Sequence, residues 1–129
     1  MENWFVKVVG RWWREAVSDQ IKIDKYLSYY YAGASGDFNL IHIDNEFARK
    51  AGLKGIILQG LCTLGITANG LIEDEDPARL KSITVRFAFP VFPEDELLLE
   101  TDEKDGEVKF TVRKYSGEEV ISKGRSVYR

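Results

Sequence analysis

The chain has 129 residues, of which 44% are hydrophobic and 12% aromatic, and its formal net charge is −3 at pH 7. This length allows one hydrophobic core and is too short for two, and the composition argues against a disordered chain. Acidic and basic residues are interspersed, so we expect no nucleic-acid partner. No apolar run reaches membrane-spanning length. We therefore expect a single domain over residues 1–129.

The amino-terminal segment combines a short β-prone run with two adjacent tryptophans. Residues Trp4 to Val9 predict an edge strand, and Trp12-Trp13 could either pack beneath the fold or line a ligand tunnel. The first residues lack the basic end and the apolar run of a signal peptide. We therefore expect a cytoplasmic protein.

Two helices are predicted next along the chain. Asp24 is a suitable N-cap for a helix that ends within Gly33–Gly36, because a side-chain oxygen there can accept from a free backbone N–H. Asp44 is a suitable N-cap for a shorter helix from Asn45 to Ala51. Gly52 would end that second helix.

The loop between these two helices carries the chemically notable residues. It places a carboxylate, a carboxamide and the only imidazole of the chain within six residues, at Asp37, Asn39 and His42. Imidazole can accept or donate a proton near neutral pH. The sequence therefore predicts three groups that could together hold and activate one water molecule.

The second half of the chain predicts one apolar helix followed by a sheet. Apolar residues at helical spacing on nearly all sides predict a buried helix within Leu58–Ile72. Alternating apolar residues then predict strands in Leu80–Phe89 and around Val108–Val112. Turn residues separate the strands at Pro93-Glu94-Asp95, Asp105-Gly106 and Ser116-Gly117. This order predicts an α+β fold in which an antiparallel sheet wraps around a long buried helix.

The loop and the start of the apolar helix together carry a recognisable set of residues: Ser35–His42, Asp44, Ala48 and Gln59-Gly60. This set resembles the signature of the MaoC-like dehydratases, which include the (R)-specific enoyl-CoA hydratases. The resemblance covers most of the chain. It implies a single hot-dog fold and the reversible hydration of a trans-2-enoyl thioester to an (R)-3-hydroxyacyl thioester. We expect no cofactor and no metal.

The resemblance also implies roles for individual residues. Asp37 and His42 match the catalytic pair, and Asn39 matches the supporting amide. Gly60 matches the residue whose backbone N–H faces the thioester carbonyl. A glycine at the start of a helix suits that task, because its N–H has no intrahelical partner and the thioester can approach closely.

Four further residues are candidate contacts to the substrate. They are Phe38, Gln59, Tyr30 and Lys54. Lys54 forms a basic cluster with Arg49 and Lys50, which could bind the phosphates of coenzyme A or simply form a solvated face.

The sequence departs from the usual family pattern at three positions. Leu40 stands where proline is common, Gln59 where histidine usually precedes the glycine, and Glu94 where glycine often follows proline. Proline would have fixed the backbone of the loop. The change at Gln59 leaves the backbone donor of Gly60 in place.

The sequence is also compatible with two other functions. One is an acyl-CoA thioesterase, in which a carboxylate and water attack the thioester carbonyl, and the other is a non-catalytic acyl-CoA-binding subunit of a larger complex. Cys62 is not a candidate nucleophile, since it lies on an apolar helix and has no second histidine to activate it. The carrier could be coenzyme A or acyl carrier protein. Because a single sheet leaves an open edge, we expect a homodimer or a higher oligomer of dimers.

Overall fold

A computed structural model describes residues 20–129 of the chain. The described helices are α1 (Leu27–Ser35), α2 (Asn45–Lys50) and α3 (Gly60–Ile72). The described strands are β1 (Gln20–Lys22), β2 (Leu80–Phe87), β3 (Glu96–Lys104), β4 (Glu107–Lys114) and β5 (Glu119–Tyr128). Short 3-10 helices cover Leu40–His42 and Pro77–Arg79. The predicted edge strand at Trp4–Val9 and the Trp12-Trp13 pair lie outside the described residues.

The five strands form one sheet in the order β1-β3-β4-β5-β2. Every neighbouring pair is antiparallel. The predicted α+β class with an antiparallel sheet is therefore confirmed. Of the strands described, β1 and β2 are the outer ones, so β2 has a neighbour on one side alone.

The turns and caps follow from local sequence. Asp105 and Gly106 connect β3 to β4 with φ angles of 54° and 75°, the positive values that a two-residue Asp-Gly hairpin turn requires. Gly36 ends α1 in the left-handed region with φ 80°. The carboxylate of Asp44 accepts a hydrogen bond from the backbone N–H of Phe47 at 3.1 Å and so caps α2.

Helix α3 forms where the apolar pattern predicts a helix, but the prediction that it is buried on nearly all sides is wrong for the single chain. Cys62, Thr63 and Thr67 are buried, whereas Leu61 is 66% exposed. Gly65, one turn after Leu61, is exposed as well. Residues four apart lie on the same helix face, so the sheet covers one side of α3 and leaves the other open.

The core lies where α1, α3 and the segment before α3 pack on the sheet. Its buried members include Ile23, Leu27, Leu58, Cys62, Val91, Leu97, Leu99, Phe110, Val112, Val120 and Ile121. The alternation predicted for β4 is confirmed, because Val108, Phe110 and Val112 are buried while Lys109 is exposed.

An ion pair fixes the loop that supports the start of α3. The ammonium group of Lys114 in β4 is 2.7 Å from a carboxylate oxygen of Asp95. The same ammonium lies 5.1 Å and 4.7 Å from the ring centres of Phe89 and Phe92. The loop held in this way presents the carbonyl of Val91 to the backbone N–H of Leu58 at 2.8 Å. The sheet therefore positions the segment from which α3 begins.

Candidate active site

The loop after α1 is fixed by hydrogen bonds of its own side chains. The hydroxyl of Ser35 donates to the carbonyl of Tyr31 at 2.7 Å and accepts from the backbone N–H of Asp37 at 3.1 Å. With Gly36 in the left-handed conformation, the chain leaves the helix and turns at once. These contacts place the carboxylate of Asp37 immediately beyond the end of α1.

Asn39 continues this pattern one step further. Its backbone N–H donates to Oδ1 of Asp37 at 3.3 Å, and its own Oδ1 accepts from the backbone N–H of Ile41 at 3.3 Å. Side-chain oxygens that accept from the backbone two residues on are a common way to stabilise a turn. Leu40 therefore lies in a loop that these bonds hold without the proline common in the family.

His42 lies at the end of the same loop and is 8% exposed. Its Nδ1 is 2.8 Å from the carbonyl oxygen of Ile57, which can only accept, so Nδ1 carries a hydrogen and donates it. In the neutral ring the lone pair is then on Nε2. That nitrogen lies 3.7 Å from Oδ2 of Asp37, whose side chain is 46% exposed. Asp37 and His42 therefore present two acceptors to the same point at the surface.

Gly60 is the first residue of α3, and Gln59 before it makes no side-chain capping bond to the helix. The backbone N–H groups at such a helix start have no intrahelical acceptor. A side chain at Gly60 would place its Cβ 3.3 Å from the ring of Phe87, a contact tight enough to require movement. The segment that ends at Gly60 also contains Ile57, so the carbonyl that orients His42 and the N–H of Gly60 belong to one short stretch.

The other residues predicted to contact the substrate differ in solvent exposure. Phe38 and Tyr30 are 58% and 66% exposed, so both side chains are accessible to a ligand. Gln59 is 1% exposed, and its Nε2 donates to the carbonyl of Ser28 in α1 at 2.9 Å. The side chain of Gln59 therefore faces the core in this structure, and its predicted contact with the substrate stays a prediction.

Lys54 lines a surface cleft of about 280 Å³ together with Lys25 and Arg49. The third member of the predicted basic cluster, Lys50, instead pairs with Glu46 on α2 at 3.1 Å. Lys25 was not predicted, since it precedes α1 and is distant in sequence from the other two. The other lining residues are Tyr26, Tyr29, Asn45, Gly55, Ile56, Phe92, Pro93 and Glu94.

Residues 20–129 contain neither a metal-binding cluster nor a membrane-spanning helix. In that range, no three histidine, cysteine or carboxylate side chains are grouped so that they could hold a metal ion. No helix in the same range is long and apolar enough to cross a membrane.

Comparison with known proteins places this geometry in a family. The family described as MaoC like domain matches residues 14–124, so the chain belongs to the MaoC-like domain family. A MaoC-like dehydratase from Phytophthora capsici superposes with a TM-score of 0.81 and 35% sequence identity, over 86% of this chain and 39% of that one. The hot-dog fold implied by the sequence resemblance is thereby confirmed.

Two further proteins bear on activity and assembly. A probable enoyl-CoA hydratase 2 from Dictyostelium discoideum is 45% identical over 83 residues, which cover 61% of this chain and 28% of that protein. A chain in the ChsH1-ChsH2 complex from Mycobacterium tuberculosis is 25% identical with a TM-score of 0.68, over 85% of this chain and 91% of that one. The chain spans less than a third of the length of the curated relatives that it matches.

Proposed function

We propose that this chain catalyses the reversible addition of water to a trans-2-enoyl thioester, giving an (R)-3-hydroxyacyl thioester. The observation that carries the proposal is the pair formed by Asp37 and His42, with Oδ2 and Nε2 separated by 3.7 Å. Membership of the MaoC-like family and the similarity to a probable enoyl-CoA hydratase 2 support it.

The pair is suited to holding the reacting water. Two acceptors that are 3.7 Å apart are too distant to bond to each other, and one water can donate an O–H to each of them. The lone pairs of that water then face away from both acceptors. An enoyl thioester bound across the loop would receive this oxygen at its β-carbon.

The proton balance follows from the state of the two groups. In the neutral ring, Nδ1–H of His42 is engaged by the carbonyl of Ile57, and Nε2 and the Asp37 carboxylate both begin as acceptors. One of them takes a proton as the water oxygen bonds to the β-carbon. The same proton is then available to the α-carbon, which must gain one, so atoms and charge balance without a second acid.

Charge that develops on the thioester oxygen also needs a donor. The backbone N–H of Gly60 at the start of α3 supplies one, and the positive end of the helix dipole favours negative charge there. One such donor typically contributes about 3 kcal/mol in the transition state.

The proposal is tested by incubating the purified protein with crotonyl-CoA and following loss of the enoyl thioester absorbance. We expect Asp37→Asn and His42→Ala each to lower kcat by about 100-fold to 10,000-fold, the range for loss of a general acid or base. An (S)-3-hydroxyacyl-CoA dehydrogenase should not consume the product. Release of free thiol would instead indicate a thioesterase. An unchanged substrate, with crotonyl-CoA and with a longer enoyl-CoA, would favour a binding subunit.

Coenzyme A is the carrier that the cleft beside α2 favours. Lys25, Arg49 and Lys54 line it, and none of the three has an ion-pair partner among residues 20–129. Phosphate groups would be attracted to this unpaired positive charge. We expect Lys54→Ala to raise KM for crotonyl-CoA and to leave KM for crotonyl-pantetheine, which lacks the nucleotide, unchanged. The exposed Lys50→Ala is the matched control, and equal effects of both variants on both substrates would contradict this role.

A second copy of the chain is the partner that we propose for the open side of the fold. Among the strands of residues 20–129, β2 is an outer one. Leu61 and Phe87 expose 66% and 49% of their surface on this side of the fold. An unpaired outer strand can add a strand from another chain. The solved complex that contains a chain of similar length supports assembly with a second subunit.

A further inference from the structure

We infer that Gln59 is a positioning residue whose buried amide aims the backbone N–H of Gly60 at the thioester oxygen. The inference rests on the proposed hydratase function. Gln59 directly precedes Gly60 and is 1% exposed, so its side chain is not presented to a ligand in this structure. Its effect must therefore pass through the peptide bond that it shares with Gly60.

That peptide bond is held from its carbonyl side. The carbonyl of Gln59 accepts from the N–H groups of Cys62 at 3.0 Å and Thr63 at 3.2 Å. No cis peptide bond occurs in residues 20–129, and in a trans peptide the C=O and the following N–H point in opposite directions. The N–H of Gly60 therefore points away from the body of α3.

The side chain of Gln59 fixes the same unit to a second helix. Its Nε2 donates to the carbonyl of Ser28 at 2.9 Å. Ser28 lies in α1, which ends at Ser35 and leads directly into the loop that carries Asp37. The bond from Gln59 therefore joins the start of α3, which presents the N–H donor, to the helix that precedes the loop of Asp37.

Two buried polar atoms without hydrogen-bond partners favour a positioning role for this amide over a stabilising one. Oε1 of Gln59 and the hydroxyl oxygen of Ser28 are buried and have no hydrogen-bond partner among the described residues. An unpaired buried polar atom destabilises the folded state. The carbonyl of Ser28 would also keep an acceptor role inside α1 if Gln59 were replaced, because helix carbonyls accept from residue i+4. A variant with an unbranched apolar side chain at position 59 should thus have a folded state at least as stable as that of the wild type.

The decisive variant is Gln59→Met, which keeps the length of the side chain and removes its donor. We expect kcat for crotonyl-CoA hydration to fall by about 100-fold, as for a small misplacement of a catalytic group, while KM changes little. The thermal unfolding midpoint should stay the same or rise. Gln59→His, which restores the residue usual in the family and an N–H donor, should recover most of the lost kcat.

Thr67→Val is the matched control. Thr67 is 0% exposed, lies in the same helix and donates to the carbonyl of Thr63 at 2.8 Å, so it too loses one buried side-chain bond. We expect its kcat to match the wild type. A Gln59→Met protein that loses stability and keeps the kcat of the folded wild type would overturn the inference.

A second readout does not depend on activity. The chain has 11 glycines, so protein labelled with ¹⁵N-glycine gives few amide signals, and the one absent from Gly60→Ala belongs to Gly60. We expect this signal to move in Gln59→Met by clearly more than the same change of neighbouring residue produces in an unfolded peptide, and to stay in place in Thr67→Val. A shift no larger than that of the unfolded peptide would count against the inference. If the wild type hydrates no enoyl thioester, the proposed function fails, and the position of this signal alone still decides the role of Gln59.

Discussion

The thiol of Cys62 links the stability of the fold to pH. Burial raises its pKa to about 12, whereas an unfolded cysteine ionises at about 8.5. The unfolded chain therefore loses this proton first as pH rises. The stability that the difference contributes is fully present below pH of about 8.5 and is lost between that value and about 12. We expect the free energy of unfolding to fall above this point by up to about 1.4 kcal/mol per pH unit.

Cys62→Ala is the variant that isolates this effect. This variant lacks the titrating group. Its free energy of unfolding should therefore fall less steeply than that of the wild type between about pH 8 and about pH 10, a range that includes the ionisation of a free thiol at about 8.5. Denaturant unfolding at several pH values measures both slopes, and the comparison of slopes is independent of any cavity left by alanine. Parallel slopes would contradict the assignment. A thiol reagent at neutral pH should also leave the folded wild type unmodified.

At the scale of the sheet, β4 and β5 meet in a contact that leaves no room for a side chain. A Cβ at Gly124 would lie 2.4 Å from the ring of Phe110 and 2.5 Å from its backbone carbonyl oxygen. The ring can move, but the carbonyl belongs to the sheet backbone. We expect Gly124→Ala to lower the free energy of unfolding by about 1–3 kcal/mol, measured in urea.

Gly33→Ala is the same chemical change, but we expect it to have the opposite effect on stability. Gly33 lies inside α1, and nothing is within 4 Å of a Cβ placed there. Alanine is favoured over glycine in a helix interior by about 1 kcal/mol, so this variant should be more stable than the wild type. Equal effects of the two substitutions would show that the contact with Phe110 does not control stability.

Elements with a local cause were predictable from sequence, and long-range contacts were not. The Asp105-Gly106 turn and the cap at Asp44 depend on neighbours in the chain, and the spacing of Asp37 and His42 identified the candidate pair. The bond from His42 to Ile57 joins residues 15 positions apart, and the bond from Gln59 to Ser28 joins residues 31 apart. Such contacts depend on how elements pack, which no local pattern encodes.

The burial of a residue was predictable where the same chain covers it. The prediction was wrong where no part of the chain does so. The pattern of α3 counts apolar residues on every side, and it cannot distinguish a face covered by the same chain from one that remains open. Leu61 shows the difference, since it is apolar and 66% exposed. Similarly, Lys25 joins Arg49 in the surface cleft although the two residues are distant in sequence.

For the whole molecule, the open face around Leu61 predicts its state of assembly. If a second copy covers this face, light scattering should give twice the mass of the chain, and Leu61→Glu should shift the protein to monomers because it would bury an unpaired charge. Tyr115→Glu is the control, since Tyr115 is 53% exposed in the turn between β4 and β5. A wild-type protein that stays monomeric at high concentration would contradict the proposed homodimer and would indicate a different partner chain. A cytoplasmic location also stays a prediction.

His42 is the one histidine in the sequence, and it lies beside Asp37. In a proton magnetic resonance spectrum, one pair of imidazole carbon-bound signals therefore belongs to this ring and needs no assignment. The proton on Nδ1, held by Ile57 at 2.8 Å in a side chain with little solvent access, should exchange slowly enough to be sought as a separate signal far downfield. The unmodified protein thus contains its own spectroscopic reporter, at the position where ligand binding, loop movement or ionisation would first be detected.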